Sequence, residues 1–599
     1  MQKYALVEKF LGYQNKTDQT NLPPGVLVEG SRNVLTNDGE RVAVREGYTL
    51  DGEANAALTP IMSSYDWLRH SGDFRHLRSH EGVLEYRYVD SDENVSWRNL
   101  ASGFSSAVEF NFAEFWDPTE LIDRLCMVNG TSNIYDWSGG VSTYASATVN
   151  TLTKEGAATW AEGGYYTAGT RTVVLGGIVY TYTGGEATTT LTGVSPDPTL
   201  GGHTAGDVIH QSLRTTPNSA ITDLPDDLAN DLISVLNNQI YIGSFVNRTV
   251  YVSKQNSITD FSFSSPRTPA QGALITLDAT PVGFIPQEEN MYITAGQSLW
   301  YLVSFTLSAD LQGETLVILR LKTGEQQAAQ SQAMITKNKN DVVFVSNEPT
   351  IASLGRIELV EKPQVKNISD PIKNDMEVYD FTDASTIYFQ DYMYVAVPRE
   401  GLVLMFNIAK GWWEAPQILP ISRFAIIDGE LYGHSSVVPE TYKLFDGVND
   451  NGAPIDAKAY FSYQQFGDRA NKKFFNEFYS EGYISSNTLL TLRLLYEYQG
   501  AARIAEYVIN GSDASILFYK TSDGSLGKQS LGKMSLAGRN TSVSTLLPPK
   551  YRVIKTFPSL DFYEVQVQYE SSGDDQHWEL LAWGPNALLS KAEGTNLKQ

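Results

Sequence analysis

The stretch Asp428-Gly429-Glu430-Leu431-Tyr432 places a tight turn directly before an apolar residue and an aromatic residue. This order is typical of the second strand of a β-hairpin, because glycine permits the turn and the apolar-aromatic pair begins a strand. Residues 296–300 (GQSLW) and 238–241 (NQIY) repeat the same order. The pattern therefore predicts hairpins that recur along the chain.

The aromatic residues of such strands recur at a fixed interval. Four of them lie 44 positions apart in succession, each directly after an apolar residue: Trp300, Phe344, Tyr388 and Tyr432. A recurrence of about 40 to 50 residues is the signature of the four-stranded blades of a β-propeller. Tyr135 and Tyr241 stand in similar contexts, and the long interval between them requires an insertion. We therefore predict that these six aromatic residues form the repeated core of the blades.

The composition favours a nearly all-β protein of several domains. Only 19% of the 599 residues are charged, while 33 Tyr and 25 Phe accompany abundant Gly, Thr and Val. This balance lacks the enrichment in Ala, Glu, Lys and Leu that long helical proteins have. A chain of this length exceeds a single hydrophobic core and predicts roughly two to four domains.

Composition shifts and turn signals divide the chain into five parts. Residues 1–54 are predicted to form an N-terminal arm and hairpin, because Pro23-Pro24 imposes an extended path. Residues 55–140 and 216–450 are predicted to form one propeller, interrupted at 141–215 by a small inserted β domain where Thr, Ala and Gly dominate. Residues 451–599 have longer apolar segments and are predicted to form a β-sandwich or jelly-roll-like domain.

The charge pattern argues against tight binding of nucleic acid. The formal net charge is −24 at pH 7, and acidic residues are spread along the chain. An acidic surface would suit a conduit through which DNA slides without adsorbing, and it would equally serve solubility, so both interpretations stay open. The N-terminus lacks the apolar core of a signal peptide, and no window reaches the roughly 20 apolar residues of a membrane span. These features predict synthesis in the cytoplasm and no membrane insertion.

No motif for nucleotide or metal binding is present in the sequence. A phosphate-cradling GxxxxGK[ST] loop is lacking. His70, His76 and His80 lie in one short stretch, but the arginines beside them would repel a cation. The single cysteine, Cys126, lies in an apolar run and is predicted to be a core residue. We therefore expect no metal, no organic cofactor and no catalysis.

Two features leave alternatives open. The arginines Arg69, Arg75, Arg78 and Arg87 could bind an acidic sugar in a propeller glycosidase, or they could pair with the acidic residues nearby in the sequence. Residues 411–414 (GWWE) could form a platform on which a sugar stacks, or a packed contact within a blade. In both cases the structural role is the commoner one.

Three segments resemble one class of protein. The first comprises residues 22–28 (LPPGVLV), 32–34 (RNV), 38–40 (DGE) and 45–48 (REGY), and it is similar to the opening of tail proteins of tailed bacteriophages, ahead of their propeller. The second comprises residues 388–398, 403–407 (VLMFN) and 411–413 (GWW), and it looks like strands of those propellers. The third comprises residues 551–557 (YRVIKTF) and 578–584 (WELLAWG), and it is similar to their closing β domain. The resemblance covers nearly the whole chain except the insert.

The resemblance implies a tail nozzle, hub or packaged-DNA stabilisation protein of a short-tailed bacteriophage. Such a protein is expected to form a sixfold ring, a hexamer, below the portal and adaptor, where it retains the genome and forms part of the ejection channel. Its expected partners are further copies of itself, the portal and adaptor and other tail proteins, and genomic DNA would pass without tight binding. Its expected location is the virion tail. A distal tail or receptor-binding component is the second interpretation, and a glycosidase acting on host surface polysaccharide is the third.

The N-terminal arm would supply the contacts to a neighbouring subunit or to the adaptor. The candidate interface residues are Tyr4, Phe10, Leu11, Tyr13, Leu22, Pro23 and Pro24. Removal of residues 1–25 is therefore expected to leave a folded monomer that fails to attach.

Overall fold

The computed structural model describes residues 2–3, 6–37, 39–106, 109–169, 171–263, 271–287, 290–296, 299–307, 314–321, 328–338, 341–346, 348, 350–354, 365–466, 472–498, 501–513, 550–585 and 587–591. Strands dominate these ranges. The helical segments are the α-helix Lys373–Val378 and short 3-10 turns at Gln19–Asn21, Pro198–Gly201, Asn218–Ala220, Gln332–Met334, Asp370–Ile372 and Gly511–Asp513. None of the helices in the described ranges has the length and apolar character needed to span a bilayer. The all-β class predicted from composition is confirmed.

Seven antiparallel sheets follow one another along the described chain, and we number them blades 1 to 7. Blade 1 contains Ser63–Leu68, Phe74–His80, Val83–Val89 and Val95–Ser102; blade 2 contains Asn111–Asp117, Ile122–Val128, Asn133–Trp137 and Arg214–Pro217; blade 3 contains Leu232–Leu236, Gln239–Gly243, Thr249–Val252 and Ala273–Thr276. Blade 4 contains Pro281–Gln287, Asn290–Ala295, Leu299–Leu307 and Glu314–Leu321; blade 5 contains Ile335–Asn338, Asp341–Val345, Ile351–Leu354 and Val365–Asn367. Blade 6 contains Ser385–Phe389, Tyr392–Val397, Leu402–Asn407 and an outer strand in two pieces, Trp412–Trp413 and Gln417–Ile418; blade 7 contains Ile421–Ile427, Glu430–Ser435, Thr441–Leu444 and Tyr48–Leu50.

The blades close into a ring. The first strand of each blade contacts the first strand of the next, and the first strand of blade 7 returns to that of blade 1. The fourth strand of blade 7 is Tyr48–Leu50, which pairs with Thr441–Leu444 and comes from the opposite end of the propeller sequence. Radial closure of this kind leaves only short sheet edges exposed. The fold is therefore a β-propeller, as the sequence predicts, and its two ends are joined by strand pairing.

The predicted 44-residue repeat is wrong in its phase. Trp300 lies in the third strand of blade 4, Phe344 in the second of blade 5, Tyr388 in the first of blade 6 and Tyr432 in the second of blade 7. These positions are not equivalent, because the loops between strands differ in length from blade to blade. The first strands begin at Ser63, Asn111, Leu232, Pro281, Ile335, Ser385 and Ile421.

The six aromatic residues nevertheless pack within blades. Tyr135 lies in the third strand of blade 2 and Tyr241 in the second strand of blade 3. Both are buried, as are Trp300, Phe344 and Tyr432. Trp300 and Phe344 meet across neighbouring blades with ring centroids 5.1 Å apart. Tyr388 is half-buried.

The insert is a small six-stranded barrel between the third and fourth strands of blade 2. Its strands are Val141–Thr148, Thr151–Lys154, Thr172–Leu175, Ile178–Thr181, Thr190–Thr192 and Val208–Gln211. Bridges from Thr181 to Ser195 and from Gly184 to Thr192 join the two ends of the sheet. The predicted boundary at residue 215 falls inside Arg214–Pro217, which pairs with Asn133–Trp137 and belongs to blade 2.

The C-terminal part is a sandwich of two antiparallel sheets with a shared core. One sheet contains Ala457–Tyr460, Leu489–Tyr498, Ala501–Asn510 and Val565–Ser571. The other contains Lys472–Ile484, Lys550–Phe562, Trp578–Pro585 and Ala587–Lys591, together with Gln2–Lys3, Val34–Asn37 and Arg41–Val44 from the N-terminus. The sandwich is thus completed by strands outside the predicted range 451–599.

The N-terminal arm predicted for residues 1–54 is wrong, because this segment packs inside the molecule. Phe10, Tyr13 and Leu22 are buried, and the Phe10 ring lies 5.7 Å from that of Phe461 in the sandwich. An extended path imposed by proline suits a segment that lies along other strands as well as one that lies in solvent. The three buried side chains contact their own chain and are not available to a neighbouring subunit. Among the remaining candidates, Leu11, Pro23 and Pro24 are exposed and Tyr4 lies outside the described residues.

Truncation of the Phe10 side chain tests this packing. Phe10 is completely buried, so Phe10→Ala is expected to lower the free energy of unfolding by about 3–5 kcal/mol in urea titrations. The neighbouring Leu11 is 38% exposed, and Leu11→Ala should lower it by less than about 1 kcal/mol. Removal of residues 1–25 should likewise destabilise the fold. Equal stability of the Phe10 and Leu11 variants would contradict the packed segment.

Candidate functional site

A row of backbone hydrogen bonds connects blade 6 to the sandwich through the N-terminal segment. The amide of Tyr13 donates to the carbonyl of Trp413 over 2.7 Å, and the amide of Leu27 donates to the carbonyl of Gly12 over 2.8 Å. Leu27 also bridges Phe461, whose amide donates to the carbonyl of Val567 in the sandwich over 3.0 Å. The outer strand of blade 6 and one sheet of the sandwich are therefore linked by strand-like pairing. We call this region the junction.

Arg45 belongs to the junction, because it bonds the carbonyl of Ile418 in the outer strand of blade 6, and it is 1% exposed. Its two terminal nitrogens donate to the two carboxylate oxygens of Asp450, each over 2.6 Å. Its remaining donors bond the side chain of Asn33 over 3.2 Å and the carbonyls of Glu46 and Ile418 over 3.0 Å. A buried guanidinium requires this degree of satisfaction, because desolvation of an unpaired charge costs several kcal/mol.

Asn33 extends the same network between the hairpin and blade 6. Its side-chain oxygen accepts from the amide of Ile418 over 2.7 Å, and its side-chain nitrogen donates to the carbonyl of Asp456 over 2.9 Å. The backbone of Asn33 is left-handed, with φ of 55°. Asparagine tolerates this conformation better than most residues, so one side chain serves both the turn and the network.

A buried carboxyl fixes the other side of the hairpin. Glu414 of blade 6 accepts from the amide and the hydroxyl of Thr36, each over 2.7 Å, and from the indole nitrogen of Trp412 over 3.0 Å. Burial raises the pKa of Glu414, and the hydrogen bonds from Thr36 and Trp412 oppose that rise. The carboxyl thus orients the hairpin by accepting bonds from two separate parts of the chain.

Trp412 is packed between backbone segments. A Cβ atom on Gly12 would lie 2.7 Å from the Trp412 ring, and a Cβ atom on Gly39 would lie 3.1 Å from it. Both glycines have positive φ and allow the N-terminal backbone to lie directly on the ring. Residues 411–414 therefore form a packed contact, although Trp412 packs against the N-terminal segment and not within its own blade.

Asp375 adds a titratable group at the edge of the junction. It lies on the helix Lys373–Val378 and is 8% exposed, and the hydroxyls of Tyr13 and Tyr379 lie beside its carboxyl, whose Oδ2 has no hydrogen-bond partner among the described residues. Burial raises its pKa to about 6, and the charge of Glu29 adds to the rise, while the two tyrosine hydroxyls oppose it. The Asp375 carboxyl therefore takes up a proton in mildly acidic solution.

The four arginines of the run Arg69, Arg75, Arg78 and Arg87 all have acidic partners. The pairs are Arg69–Asp73 at 2.9 Å, Arg75–Asp73 at 2.7 Å, Arg78–Glu85 at 2.7 Å and Arg87–Asp51 at 2.9 Å. The partners Asp73 and Glu85 are those expected from the sequence, whereas Asp51 is not. Paired guanidiniums of this kind belong to an ion-pair network and leave no arginine of this run available for an acidic sugar.

The histidines of the same blade do not form a metal site. His76 lies 2.8 Å from Asp66, and His80 lies 3.4 Å from Glu85. His70 packs against Trp116 in a tilted arrangement, with ring centroids 5.2 Å apart. In the part of the chain that the structure describes, no group of three or more His, Cys, Asp or Glu side chains could hold a metal ion.

Arg45 and Asp450 are absent from the candidates named on sequence grounds. Arg45 follows the apolar run Val42-Ala43-Val44 and precedes a glycine corner, which is an unusual place for a solvated charge. Asp450 stands in the turn that leaves the propeller. Each is visible as a local oddity, but their pairing connects residues 405 positions apart and has no local signal.

Comparisons with known proteins address the fold. No protein-family model matches the sequence, and no curated protein matches it significantly. Among solved structures, the chain is similar to BamB from Moraxella catarrhalis, with 10% identity and a TM-score of 0.31, over 74% of this chain and 97% of the other. It is similar to the β-propeller domain of Cps50 (Swd1) from Myceliophteria thermophila, with 7% identity and a TM-score of 0.34, over 66% of this chain and 99% of the other. It is also similar to the computationally designed Ika8 protein, with 9% identity and a TM-score of 0.32, over 67% of this chain and 99% of the other.

Replacement of Arg45 tests the junction. Arg45→Met leaves the Asp450 carboxylate buried without its partner and should lower the free energy of unfolding by about 3–5 kcal/mol. Hydrogen exchange at residues 48–50 and 441–444 should rise with it, because the closing strand directly follows the hairpin. The matched control is Arg41→Met, whose pair with Glu579 is 45% exposed on the arginine side and should contribute no more than about 1 kcal/mol. Equal losses in the two variants would contradict the role of Arg45.

The raised pKa of Asp375 predicts a pH-dependent stability. The ordinary value is 3.8 and the folded value is about 6, so the folded state binds the proton more tightly and the unfolding free energy falls as pH rises through this window. Asp375→Asn should remove the fall and stabilise the protein at pH 7.5 by roughly 3 kcal/mol. The exposed Glu377→Gln on the same helix is the control. Parallel stability profiles of Asp375→Asn and the native protein between pH 4 and pH 7.5 would refute this assignment.

Proposed function

We propose that the chain is a structural protein of a bacteriophage tail. It assembles into a ring, a nozzle or hub below the portal and adaptor, which retains the packaged genome and forms part of the channel through which the genome leaves. It performs no catalysis and carries no cofactor in this role. Its partners are further copies of itself and the neighbouring tail proteins.

The observation that carries the proposal is that the three resembling segments pack on one another. Gly39 of the first segment lies against the ring of Trp412 in the second. The hairpin that turns at Gly39 pairs through Val42 with Leu580 in the third. The three segments are distant in the sequence but meet in one region of the fold. They therefore support a relationship to the phage tail proteins better than three unconnected similarities would.

The arrangement of charge is consistent with this role. Arg69, Arg75, Arg78 and Arg87 are paired with carboxylates, which removes the main argument for an acidic-sugar hydrolase. The net charge of −24 disfavours adsorption of duplex DNA, so a genome could move past such a surface without stalling. Retention would then depend on the width of the ring and on the proteins below it.

The assembly surface can use only part of the one predicted on sequence grounds. Phe10, Tyr13 and Leu22 are occupied within the chain, whereas Leu11, Pro23 and Pro24 remain exposed on the same segment. A head-to-tail interface that closes is how one subunit type surrounds a channel. We assign the three exposed residues to that interface.

A distal receptor-binding component is the second candidate. The barrel inserted at blade 2 favours it, because a domain carried between two strands of a blade is a common place for a binding function. The two functions share the propeller and differ in the oligomer that they require.

Imaging of the purified protein, with light scattering for its mass, tests the proposal. We expect a closed ring with a central opening and undetectable or weak, salt-sensitive binding of duplex DNA. Leu11→Asp should reduce ring formation without unfolding the monomer, and Leu58→Asp, at a site 80% exposed, is the matched control. A compact monomer or trimer, nanomolar binding of duplex DNA at physiological salt, or release of reducing ends from bacterial surface polysaccharide would each overturn it.

A further inference from the structure

A cavity of about 540 Å³ lies where the inserted barrel meets the propeller. Three units line it: strands and a loop of blade 2, the segment around Ala168 of the barrel, and the loop 256–259 of blade 3. This volume lies within the range of roughly 300–1,000 Å³ that small-molecule sites occupy. The cavity depends on the docking of the barrel, because residues of the barrel form one of its walls.

The floor of the cavity is a buried ion-pair cluster around Arg124. The Arg124 guanidinium bonds Asp117 and Glu120 over 2.5 Å each and Asp136 over 3.0 Å. All four side chains are at most 12% exposed. Burial by itself would lower the pKa of Arg124, but the coulombic attraction of these carboxylates and of Tyr166 outweighs it and raises the pKa, so the guanidinium stays charged.

Glu120 holds the barrel against this floor. One of its oxygens accepts from Arg124 and from Arg214 over 3.2 Å, and the other accepts from the amides of Thr167 and Ala168 over 3.1 Å each. The Arg214 guanidinium lies 3.2 Å above the centre of the Tyr166 ring. The charged groups of the floor are thereby committed to one another and to the barrel.

The walls carry uncharged polar groups. The hydroxyls of Thr119, Thr216 and Thr259 have no hydrogen-bond partner among the described residues, and Asn256 accepts a hydrogen bond from Asn238 through its side-chain oxygen. Leu213 and Ile258 add half-buried apolar surface. Hydroxyls act as both donors and acceptors, so these walls suit a ligand that presents both functions.

The charge of the cavity excludes other classes of ligand. The floor contains three carboxylates and two guanidiniums, and both guanidiniums already bond carboxylates, which leaves no cationic group for a phosphate or an acidic sugar. A metal ion would meet the same two guanidiniums. A neutral ring with several hydroxyls on its rim and C–H groups on its faces matches the remaining hydroxyl, amide and apolar surfaces.

We propose that this cavity binds a neutral saccharide of one or two rings. The proposal goes beyond the tail function above and does not depend on it. The ligand hydroxyls bond the threonine hydroxyls and the Asn256 amide, and the ring faces contact Leu213 and Ile258. Both free sugars and the ends of a polysaccharide have this chemistry.

Saturation-transfer NMR with the full-length protein tests the site. The probes are glucose, galactose, mannose and N-acetylglucosamine, with glucuronate and glucosamine as charged comparators. At least one neutral probe is expected to give a signal that is lost in Thr119→Trp and Thr259→Trp, which fill the cavity from two different loops. Leu200→Trp, at a site 83% exposed on the barrel and outside the cavity, should retain the signal.

Threonine-to-valine variants and a comparison of a disaccharide with its component sugar test the contacts and the size of the ligand. Thr119→Val and Thr259→Val keep the side-chain volume and remove the hydroxyls, so a weaker signal in these variants, with unchanged thermal unfolding, supports direct bonding. Stronger binding of a disaccharide than of its component sugar assigns the site to the end of a polysaccharide, and equal binding assigns it to a free sugar. Silence of all neutral probes, a signal from the charged comparators alone, or signals that persist in both Trp variants would overturn the proposal.

Discussion

The buried ion pair between Arg45 and Asp450 is the interaction on which the rest of the structure depends. Arg45 stands between the hairpin that completes the sandwich and the strand Tyr48–Leu50 that completes blade 7, and Asp450 lies where the chain leaves the propeller for the sandwich. A buried pair of this kind adds little net stability, but an arrangement that separates the partners leaves a charge buried alone, at a cost of several kcal/mol. The pair therefore acts as a condition on the fold: the hairpin, the closing strand and the linker must take their places together.

The Arg45–Asp450 pair couples the closure of the propeller ring to the closure of the sandwich. The ring closes when residues 48–50 pair with residues 441–444, and the sandwich closes when Val42 and Ala43 pair with Leu580 and Glu579. Both closures use one short piece of the N-terminus and bring together parts far apart in the chain, so each carries a large loop-closure cost in conformational entropy. Motion of the sandwich relative to the propeller is restrained by the same contacts.

The features that the sequence predicts correctly are those with local signals. Turn residues before apolar-aromatic strands indicate blades, and the shift to Thr, Ala and Gly indicates the insert. The phase of the repeat fails because Trp300 and Tyr388 match in residue type but lie in different strands of their blades. The N-terminal arm fails for a related reason: Pro23-Pro24 establishes that the chain is extended, whereas the strand beside it is decided by Trp413 and Phe461, hundreds of residues away.

Among the candidate sites, too, the sequence predicts local contacts and misses contacts between distant residues. The partner of Arg69 lies four residues away and can be read from the sequence, whereas Arg87 pairs with Asp51 and Arg45 with Asp450 through the fold alone. The cavity beside the barrel is a stronger case, because its walls come from two blades and an inserted domain. Glu120 satisfies Arg124 of its own blade and the amides of the barrel with one carboxylate, so the barrel has a fixed position only when blade 2 is complete. Because Glu120 joins the barrel to blade 2, the shape of the cavity between them depends on the geometry of the propeller. The same contacts explain how a domain inserted between two strands can hold a defined position relative to the ring.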